Sequence, residues 1–304
     1  MILNWNQVDL TLDCLASIYQ QDYANFRIVL VDNGSTDGST EKIRAQFPAV
    51  KVIENGRNLG YSKGNNIGIV HALEQKADYI LLLNNDTIVD QQMVRLLVQA
   101  AEQDPAVGIT GPTMLYYDQP DIIWCGGNRI NWANGEPIRL NEGKSFSTIQ
   151  ALDKQEVDFI TSCAVCIKRA VFEKIGLIDE KFFIYFDEID WFARAKAAGW
   201  KTVYIPSAKL WHKVSAAMGE SSPGTDYYMV RNRFLFIFKN MQGLVRLRTL
   251  LYFGLFNIKV IVAYTLKSHQ GKRIRNRNAK FLGMRDAVLG RWGEMGSDVR
   301  AALR

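Results

Sequence analysis

Residues 27–39 read RIVLVDNGSTDGS, and residues 79–87 read YILLLNNDT. In both stretches a short apolar run ends abruptly in Asn, Asp, Gly or Ser. Apolar runs of this length bounded by turn residues are typical of buried strands. The helix-like residues 39–47 follow the first run, so this stretch predicts a strand–turn–helix unit.

The first half of the chain repeats this alternation. Strands are predicted at residues 1–3, 27–31, 50–53 and 79–83, with helices at 10–21, 39–47 and 65–74. Strands separated by helices of this length indicate a parallel, doubly wound sheet. The polar residues that follow three of these strands should then share one crevice, because open α/β sheets bind ligands at their carboxyl edge. They are Asn4-Trp5-Asn6, Asp32-Asn33-Gly34-Ser35 and Asn84-Asn85-Asp86.

The later segments are less regular. Residues 104–152 predict loops and short strands, and 157–168 (VDFITSCAVCIK) predict one buried strand, followed by a helix from about residue 169. A strand at 202–205 precedes a polar loop, 207–225, that contains His212. Cys163 and Cys166 form C-x-x-C without a second pair nearby, which favours small core residues over a zinc or redox site.

Composition excludes several classes of protein. The 304 residues are 48% hydrophobic and 22% charged, as in a folded globular protein. Four cysteines do not make a disulfide scaffold, so a reducing cytoplasm is the simpler prediction. The start, MILNWNQVDL, lacks the pattern of a signal peptide. No run of 18 uncharged apolar residues occurs, so no membrane-spanning helix is predicted.

The charge is divided unevenly along the chain. Residues 231–304 contain 16 Lys or Arg and 3 Asp or Glu, a net charge of +13, whereas residues 1–230 carry −7. The apolar stretch 244–266 precedes a basic cluster, KRIRNRNAK, at 272–280. This pattern predicts a helical, basic tail (231–304) that associates with an anionic membrane surface. The alternative is a solvated face on helices that pack against the rest of the chain; no nucleic-acid-binding module accompanies the charge.

Individual motifs allow more than one interpretation. Asp86 at a strand end can hold a divalent cation, although Asn and Asp also favour ordinary turns. The stretch VDNGSTDGST suits recognition of a nucleobase or ribose, or simple capping of the next helix by Ser35 or Asp37. His212 is a metal-ligand candidate, although a lone histidine is usually structural. The stretch around Gly60 and Lys63 fits neither G-x-G-x-x-G nor a P-loop, which weakens an NAD or ATPase interpretation.

The richest stretch is 182–199, where three carboxylates, Asp187, Glu188 and Asp190, crowd a predicted helix start among aromatic residues. Negative charge is favoured there, and an apolar setting can raise a carboxyl pKa toward a general-base role. Arg194 lies four residues after Asp190, so a structural ion pair is the alternative.

Taken in order, these motifs resemble glycosyltransferase family 2, in its rhamnosyltransferase-like branch. Six segments match across about residues 1–235: ILNWNQ, IVLVDNGSTDGS, NLGYSKGNNIGI, YILLLNNDT, FFIYFDEIDWFARAKAAGW and LWHK. The resemblance implies a GT-A fold over 1–230: a Rossmann-like α/β domain with a mostly parallel central sheet flanked by helices. Its nucleotide-sugar-binding half would be 1–105 and its acceptor-binding half 106–230.

The resemblance also implies roles for individual residues. Mg²⁺ or Mn²⁺ would be held by Asp86 and His212, and Glu188 would be the base, with Asp187 and Asp190 as alternatives. Arg194 would assist at the diphosphate or orient the acidic cluster. Two residues depart from the family's pattern: Asn84 replaces a carboxylate, which should weaken metal affinity, and Glu188 replaces Asp. The residues implied in donor binding are Asn4, Trp5, Asn6, Asp32, Asn33, Gly60, Lys63, Asn65, Asn84 and Asn85, with Arg194.

The activity implied is inverting, metal-dependent transfer of a sugar, rhamnose by the branch resembled, from a dTDP- or UDP-linked donor. The acceptor would be a hydroxyl of a glycan or lipid-linked glycan in cell-surface polysaccharide synthesis, with the enzyme peripheral on the inner membrane face. One alternative is a non-catalytic nucleotide-sugar or glycan-binding homologue. The other is a sugar nucleotidyltransferase, which would carry a glycine-rich basic loop where Asn4-Trp5-Asn6 stands.

Overall fold

The computed structural model describes residues 1–213, 222–266 and 271–303, the side chains of residues 271 and 272 excepted. Part of the predicted loop after His212, residues 214–221, and the side chain of Lys272 therefore lie outside the described residues. The chain forms two compact units. The first contains Met1–Arg129, Ile138–Ile178 and the segment that starts at Trp191, and the second contains Ile130–Pro137, Asp179–Asp190 and the C-terminal helices.

Buried aliphatic runs form the sheet of the first unit. In the described residues this sheet has ten strands, and the path runs β10-β12-β6-β11-β4-β1-β2-β3, with β5 paired to β12 and β7 to β6. A separate hairpin joins β8 and β9. The strands are β1 (Ile2–Asn4), β2 (Val29–Asp32), β3 (Lys51–Glu54), β4 (Tyr79–Asn84), β5 (Thr87–Val89), β6 (Val107–Tyr116), β7 (Ile123–Cys125), β8 (Asn128–Asn131), β9 (Glu136–Arg139), β10 (Gln155–Val157), β11 (Ala164–Lys168) and β12 (Lys201–His212).

The helices follow the same alternation in the first half and then dominate the C-terminal part. A 3-10 turn covers Phe146–Thr148. The α-helices are α1 (Val8–Ile18), α2 (Ser39–Gln46), α3 (Gly60–Glu74), α4 (Met93–Glu102), α5 (Arg169–Ile175), α6 (Asp187–Ala197), α7 (Pro223–Asn240), α8 (Gly243–Leu266), α9 (Gly271–Val288) and α10 (Ser297–Leu303).

The predicted α/β class, with a mostly parallel central sheet and a helical C-terminal part, is confirmed. Strand β1 lies between β2 and β4 and is parallel to both. The register sets Asn4 beside Asp32 and Leu3 beside Asn84. The polar residues that follow these three strands are therefore brought to one edge of the sheet.

The prediction of a single strand over 157–168 was wrong. Only residues up to Val157 and from Ala164 onward are in strands, β10 and β11. Between them, Asp158 and Phe159 hydrogen-bond through their backbones to Asn128 instead. The whole run is apolar because it is buried, and burial alone does not show where the backbone changes partner.

The later strands are also longer than predicted. Strand β6 runs for ten residues within the segment predicted as loops and short strands. Strand β12 continues from Lys201 to His212, so His212 ends a strand and does not lie in a loop. The register of β12 shifts between Ile205 and Lys209, and pairing with β6 then resumes. Pro206 lies in this irregularity, which is where proline is tolerated in a sheet.

The four cysteines are buried and free, which confirms that Cys163-x-x-Cys166 contributes core residues. Burial raises the pKa of Cys14 and of Cys166 to about 12. In the second unit, Tyr227 and Tyr228 of α7 pack with Ala279 of α9 and Val299 of α10.

Candidate functional site

A network of hydrogen bonds joins the carboxyl ends of β1, β2 and β4. Its centre is the fully buried Asn4, whose Nδ2 donates to Asp32 Oδ1 (2.9 Å) and to Ser35 Oγ (3.1 Å). Asn4 Oδ1 accepts from Thr11 Oγ1 (2.7 Å) and from Asn85 Nδ2 (3.2 Å). The three polar clusters that the sequence placed in one crevice do meet.

Asp32 uses its carboxylate to shape the loop after β2. Its Oδ2 accepts from the backbone N–H groups of Gly34 (3.0 Å) and Ser35 (2.9 Å). Its Oδ1 accepts from Asn4 and from the Ser35 hydroxyl (2.5 Å). Four bonds occupy the usual acceptor capacity of a carboxylate. A Cβ at Gly34 would come within 2.5 Å of Arg57 Cα, so two loops approach closely there.

Asn33 fixes the loop between β3 and α3. Its Nδ2 donates to Asn58 Oδ1 and to the Gly60 carbonyl, each at 3.1 Å. Its Oδ1 accepts from Asn55 Nδ2 (3.0 Å) and from Leu59 N–H (3.1 Å). Helix α3 begins at Gly60, five residues earlier than the sequence predicted, with Asn58 Oδ1 accepting from Gly60 N–H (2.8 Å).

The other residues predicted to contact a donor differ in exposure. Trp5 is 55% exposed, so its ring is available for stacking beside the buried network. Lys63 is exposed on α3, whereas Asn65 is buried and its amide donates to the Tyr61 carbonyl (2.9 Å). Asn84 Oδ1 accepts from the Tyr61 hydroxyl (3.3 Å). Asn6 Oδ1 accepts from Thr36 N–H (2.9 Å).

Asp86 and His212 form a buried pair where β5 pairs with the end of β12. Antiparallel pairing sets His212 opposite Thr87, the residue after Asp86. His212 Nε2 lies 3.2 Å from Asp86 Oδ1, and both side chains are almost fully buried. The Trp124 ring meets the imidazole edge-on, with the ring centroids 4.6 Å apart. Both members of the pair were predicted from the sequence, whereas Trp124, which belongs to no motif, was not.

This pair has unused hydrogen-bonding capacity. Among the described residues, Asp86 Oδ1 and His212 Nδ1 have no hydrogen-bond partner; the Nε2–Oδ1 contact has the distance of an ion pair but not the alignment of a hydrogen bond. Buried polar atoms are nearly always satisfied, because an unsatisfied one costs about 1–3 kcal/mol. Oxygen and imidazole nitrogen are both suitable ligands for a divalent cation.

The pair supplies two ligands and not a complete shell. No group of three or more His, Cys, Asp and Glu side chains able to hold a metal occurs in the described part of the chain. Mg²⁺ keeps several waters and is often completed by substrate phosphates, so one or two protein ligands suffice. The residues present therefore fit a cation that binds together with a phosphate-bearing ligand.

In the second unit, three carboxylates begin α6, as the sequence predicted. Asp187 and Asp190 are buried, and Glu188 is half-buried. Asp190 Oδ2 accepts from Lys239 Nζ and Asp190 Oδ1 from Asn240 Nδ2, both at 2.9 Å. Asp190 is therefore tied to α7, which the sequence did not predict.

The loop before α6 has an unusual backbone. Phe183, Tyr185 and Phe186 all have positive φ, 64–67°, which is uncommon for bulky residues. Asn232 Nδ2 on α7 donates to the carbonyls of Phe182 (2.8 Å), Ile184 (2.7 Å) and Tyr185 (3.0 Å).

The neighbouring Arg231 is fully buried and also holds this loop. Its guanidinium donates to the Phe182 carbonyl (3.1 Å). Arg231 and Asn232 were not predicted from the sequence; their signal is the polar run Arg231-Asn232-Arg233 inside the stretch YYMVRNRF.

Arg194 contacts backbone groups within the first unit. Its Nη1 donates to the Ile175 carbonyl (2.7 Å) and its Nη2 to the Leu177 carbonyl (2.8 Å). The neighbouring Trp191 Nε1 donates to the Gly176 carbonyl (3.0 Å). Together, the side chains of Arg194 and Trp191 stabilise the turn after α5.

Comparison with known sequences gives a consistent result. Residues 1–176 match the family described as "Glycosyl transferase family 2". The N-acetylglucosaminyl-diphospho-decaprenol L-rhamnosyltransferase of Mycobacterium tuberculosis is 26% identical over 224 residues, 67% of this chain and 72% of the relative. The dTDP-rhamnosyl transferase RfbF of Shigella flexneri is 28% identical over 247 residues, 79% of this chain and 80% of the relative.

Solved structures show the same fold at lower identity. The mannosyltransferase PcManGT from Pyrobaculum calidifontis, in complex with GDP-Man and Mn²⁺, has a TM-score of 0.59 at 13% identity, over 95% of this chain and 86% of that one. GalNAc-T7 with UDP, GalNAc and Mn²⁺ has a TM-score of 0.56 at 19% identity, over 69% of this chain but only 42% of that one. These likenesses show the GT-A fold that the sequence predicted.

Proposed function

The chain belongs to glycosyltransferase family 2, and we propose that it is an inverting, metal-dependent member that transfers a sugar from a nucleoside-diphosphate donor. The acceptor is a hydroxyl group of a glycan or lipid-linked glycan in cell-surface polysaccharide synthesis. The names of the two relatives above, both rhamnosyltransferases, support rhamnose as the sugar, and the name of the second supports dTDP as the carrier; UDP is the alternative carrier.

The buried pair of Asp86 and His212 is the observation that most supports this function. Its unsatisfied carboxylate oxygen, Asp86 Oδ1, and the His212 Nε2 that faces it fit Mg²⁺ or Mn²⁺, and both structural neighbours above contain Mn²⁺ and a nucleotide or nucleotide sugar. Asp86 and His212 would hold the cation, and Asn84, an amide where the family has a carboxylate, leaves them as its main protein ligands. A bound cation would offset negative charge on the leaving diphosphate.

The loops after β1, β2 and β3 would bind the nucleotide. Five residues of this region are hydrogen-bonded to one another or to the backbone: Asn4, Asp32, Asn33, Gly60 and Asn65. We therefore assign them to holding the shape of the site. Trp5 and Lys63, which are exposed, are better placed to contact the donor directly, by stacking and by charge. Asn6 lies in the loop after β1, and Asn84 and Asn85 lie at the end of β4.

Glu188 is the proposed general base. It would accept the proton of the acceptor hydroxyl while the oxygen attacks the anomeric carbon opposite the leaving diphosphate, which inverts the configuration. Asp190 is already bonded to Lys239 and Asn240, so it suits a supporting role. Asp187 is the remaining alternative. Arg194, bonded to two carbonyls, suits orientation of α6 more than contact with diphosphate.

The same proposal covers domain organisation and location. Residues 1–230 would form the catalytic domain, with donor (1–105) and acceptor (106–230) halves, and residues 231–304 a basic tail. A lipid-linked acceptor would bring the enzyme to the inner face of the cell membrane, where it would be peripheral.

The test is transfer and hydrolysis with a panel of dTDP- and UDP-sugars, with and without Mn²⁺. We expect metal-dependent turnover with one donor. Glu188→Gln should strongly lower turnover, because the amide cannot accept the proton, while calorimetry still detects nucleotide binding. General-base catalysis typically contributes a factor of about 10²–10⁴, and this is the loss expected.

Glu173→Gln is the matched control, because Glu173 is exposed on α5 and should leave turnover unchanged. Full activity of Glu188→Gln would move the base to Asp187. Donor binding without turnover, even with a membrane glycolipid extract present, would contradict the enzymatic proposal and favour a non-catalytic homologue.

A further inference from the structure

Helix α8 (Gly243–Leu266) exposes most of its large apolar side chains, unlike a helix of a soluble protein. The face turned into the second unit buries Phe253 together with two polar residues, Thr249 and Asn257. Thr249 Oγ1 donates to the Ala133 carbonyl (3.1 Å), and Asn257 Nδ2 donates to the Phe253 carbonyl of its own helix (2.8 Å). Soluble helices normally bury an apolar stripe and expose the polar one.

The opposite face exposes a continuous aliphatic stripe. Its members recur at intervals of three or four residues, which places them on one side of the helix. Their exposed fractions run from 48% for Ile258 to 84% for Leu244. Large exposed apolar patches on soluble proteins mark interaction sites. The aliphatic stripe consists of Leu244, Leu247, Leu251, Leu255, Ile258 and Val262.

Polar groups typical of a lipid interface flank the stripe on one side. Arg248, Tyr252 and Lys259 are exposed, and each directly follows a stripe residue, so all three lie on the same flank. Lys and Arg can extend their charged ends toward headgroups while their stems stay on apolar surface. Residues 243–280 contain nine Lys or Arg and no Asp or Glu, which complements an anionic surface.

From this arrangement we propose that α8 lies in the plane of an anionic lipid bilayer, with the aliphatic stripe inserted among the acyl chains. The helix is 24 residues long and, by length and composition alone, could also cross a membrane. The sequence predicted no membrane-spanning helix, because Lys259 interrupts the run of uncharged apolar residues. Thr249 and Phe253, however, are covered by other residues of the second unit, so a protein-facing side and a lipid-facing side fit an in-plane helix.

The inference deepens the proposed location of the enzyme but does not depend on the proposed reaction, because vesicle binding needs no sugar donor. We would sediment the full chain with phosphatidylcholine vesicles, with and without phosphatidylglycerol. Binding should be stronger to the anionic vesicles. Replacing two stripe leucines, Leu251→Glu with Leu255→Glu, should weaken it at least about tenfold, because a buried leucine contributes roughly one such factor.

Leu152→Glu is the control, because Leu152 is 49% exposed in the first unit and lies outside the stripe. It should bind vesicles like the unsubstituted chain. Circular dichroism would verify that both variants fold, as expected for exposed positions. Unchanged vesicle binding of the stripe variant would overturn the proposal. A dimer in light scattering that the stripe variant dissociates would also overturn it, since a second copy would then cover the stripe.

Depth measurements separate an in-plane helix from a spanning one. All four native cysteines are buried, so a single introduced cysteine can be labelled with an environment-sensitive fluorophore. Quenching by lipids brominated at known depths would be measured for labels at Leu244→Cys, Leu255→Cys and Val262→Cys. Equal depths along the stripe are expected. A label at residue 255 much deeper than those at 244 and 262 would indicate a spanning helix and contradict the proposal.

Discussion

At the scale of single residues, hydrogen-bond satisfaction divides the candidate site into two kinds of side chain. Asn4, Asp32 and Asn33 have their polar atoms bonded within the protein. Such residues set the shape of the loops and gain little from a ligand. In contrast, Asp86 Oδ1 and His212 Nδ1 are buried without a hydrogen-bond partner among the described residues. A bound cation would satisfy Asp86 Oδ1, which faces His212 Nε2 at 3.2 Å, so this pair should respond most to added metal.

The first prediction concerns that response in the absence of catalysis. Mn²⁺ with a nucleoside diphosphate should raise the thermal unfolding midpoint of the full chain, because a ligand of the folded state stabilises it by mass action. The gain is about 2.7 kcal/mol at 100 times the dissociation constant. Asp86→Asn, which keeps the shape but loses the charge, should lose most of this stabilisation. Differential scanning calorimetry measures it.

Asp90→Asn is the control for that experiment. Asp90 lies four residues further on and pairs with Lys209 at 3.7 Å, so its loss should leave the metal response intact. Equal stabilisation of Asp86→Asn and the unsubstituted chain by Mn²⁺ would show that the cation binds elsewhere.

At the scale of elements, local sequence was sufficient for the first half of the sheet. Strand β4 and helix α2 were predicted within one residue of their ends, because apolar runs, turn residues and helix length are all local signals. Ser35 or Asp37 was expected to cap α2; the N-cap residue is Gly38, and Asp37 Oδ1 accepts from Ser39 N–H (3.1 Å) at the first residue of the helix. It also accepts from Val8 N–H (3.0 Å) at the start of α1, a long-range contact that the sequence could not show.

The elements that were missed depend on distant partners. Strand β12 continues past Pro206 because β5 and β6 offer pairing there, more than ninety residues earlier in the chain. The candidate site residues also divide into those that a local motif predicts and those that depend on distant contacts. Asp86, His212 and the acidic start of α6 were predicted from motifs, whereas Trp124, Arg231 and Asn232 act through contacts that no local pattern encodes.

The second prediction concerns Asn232, whose amide holds the loop before α6. Asn232→Ala should lower the free energy of unfolding by about 2 kcal/mol, since a net hydrogen bond contributes about 1 kcal/mol and the amide has two N–H donors to lose. The Ile184 and Tyr185 carbonyls then lose this donor, whereas the Phe182 carbonyl keeps its bond from Arg231. Turnover should fall further than nucleotide binding, because the loop leads directly into Asp187 and Glu188. Urea unfolding, together with kcat and nucleotide affinity, gives these values.

Two further variants make the prediction about Asn232 specific. Asn232→Asp keeps the shape but sets a carboxylate oxygen, in place of Nδ2, against the three carbonyls, so it should destabilise at least as much as Asn232→Ala. Asn278→Ala removes only the acceptor of the neighbouring Arg277 side chain and should change stability by less than about 0.5 kcal/mol. If Asn232→Ala behaved like Asn278→Ala, the loop would not depend on this amide.

At the scale of the whole molecule, the net charge of +6 conceals two opposite charges. Residues 1–230 carry −7 and residues 231–304 carry +13. An anionic surface would attract the second segment and repel the first, which gives the chain a preferred orientation as well as affinity. The aliphatic stripe of α8 lies in the basic segment, so charge and apolar surface favour the same contact.

The last prediction separates these two contributions by salt. Screening shortens the Debye length from about 10 Å at 0.1 M to about 3 Å at 1 M salt, whereas burial of apolar surface is not screened. Binding of the full chain to vesicles containing phosphatidylglycerol should therefore fall with salt to a plateau, measured by sedimentation. The plateau should match binding to pure phosphatidylcholine and should disappear when Leu251→Glu and Leu255→Glu are introduced. Complete loss at high salt without these substitutions would mean that charge alone holds the tail, and that the stripe does not enter the bilayer.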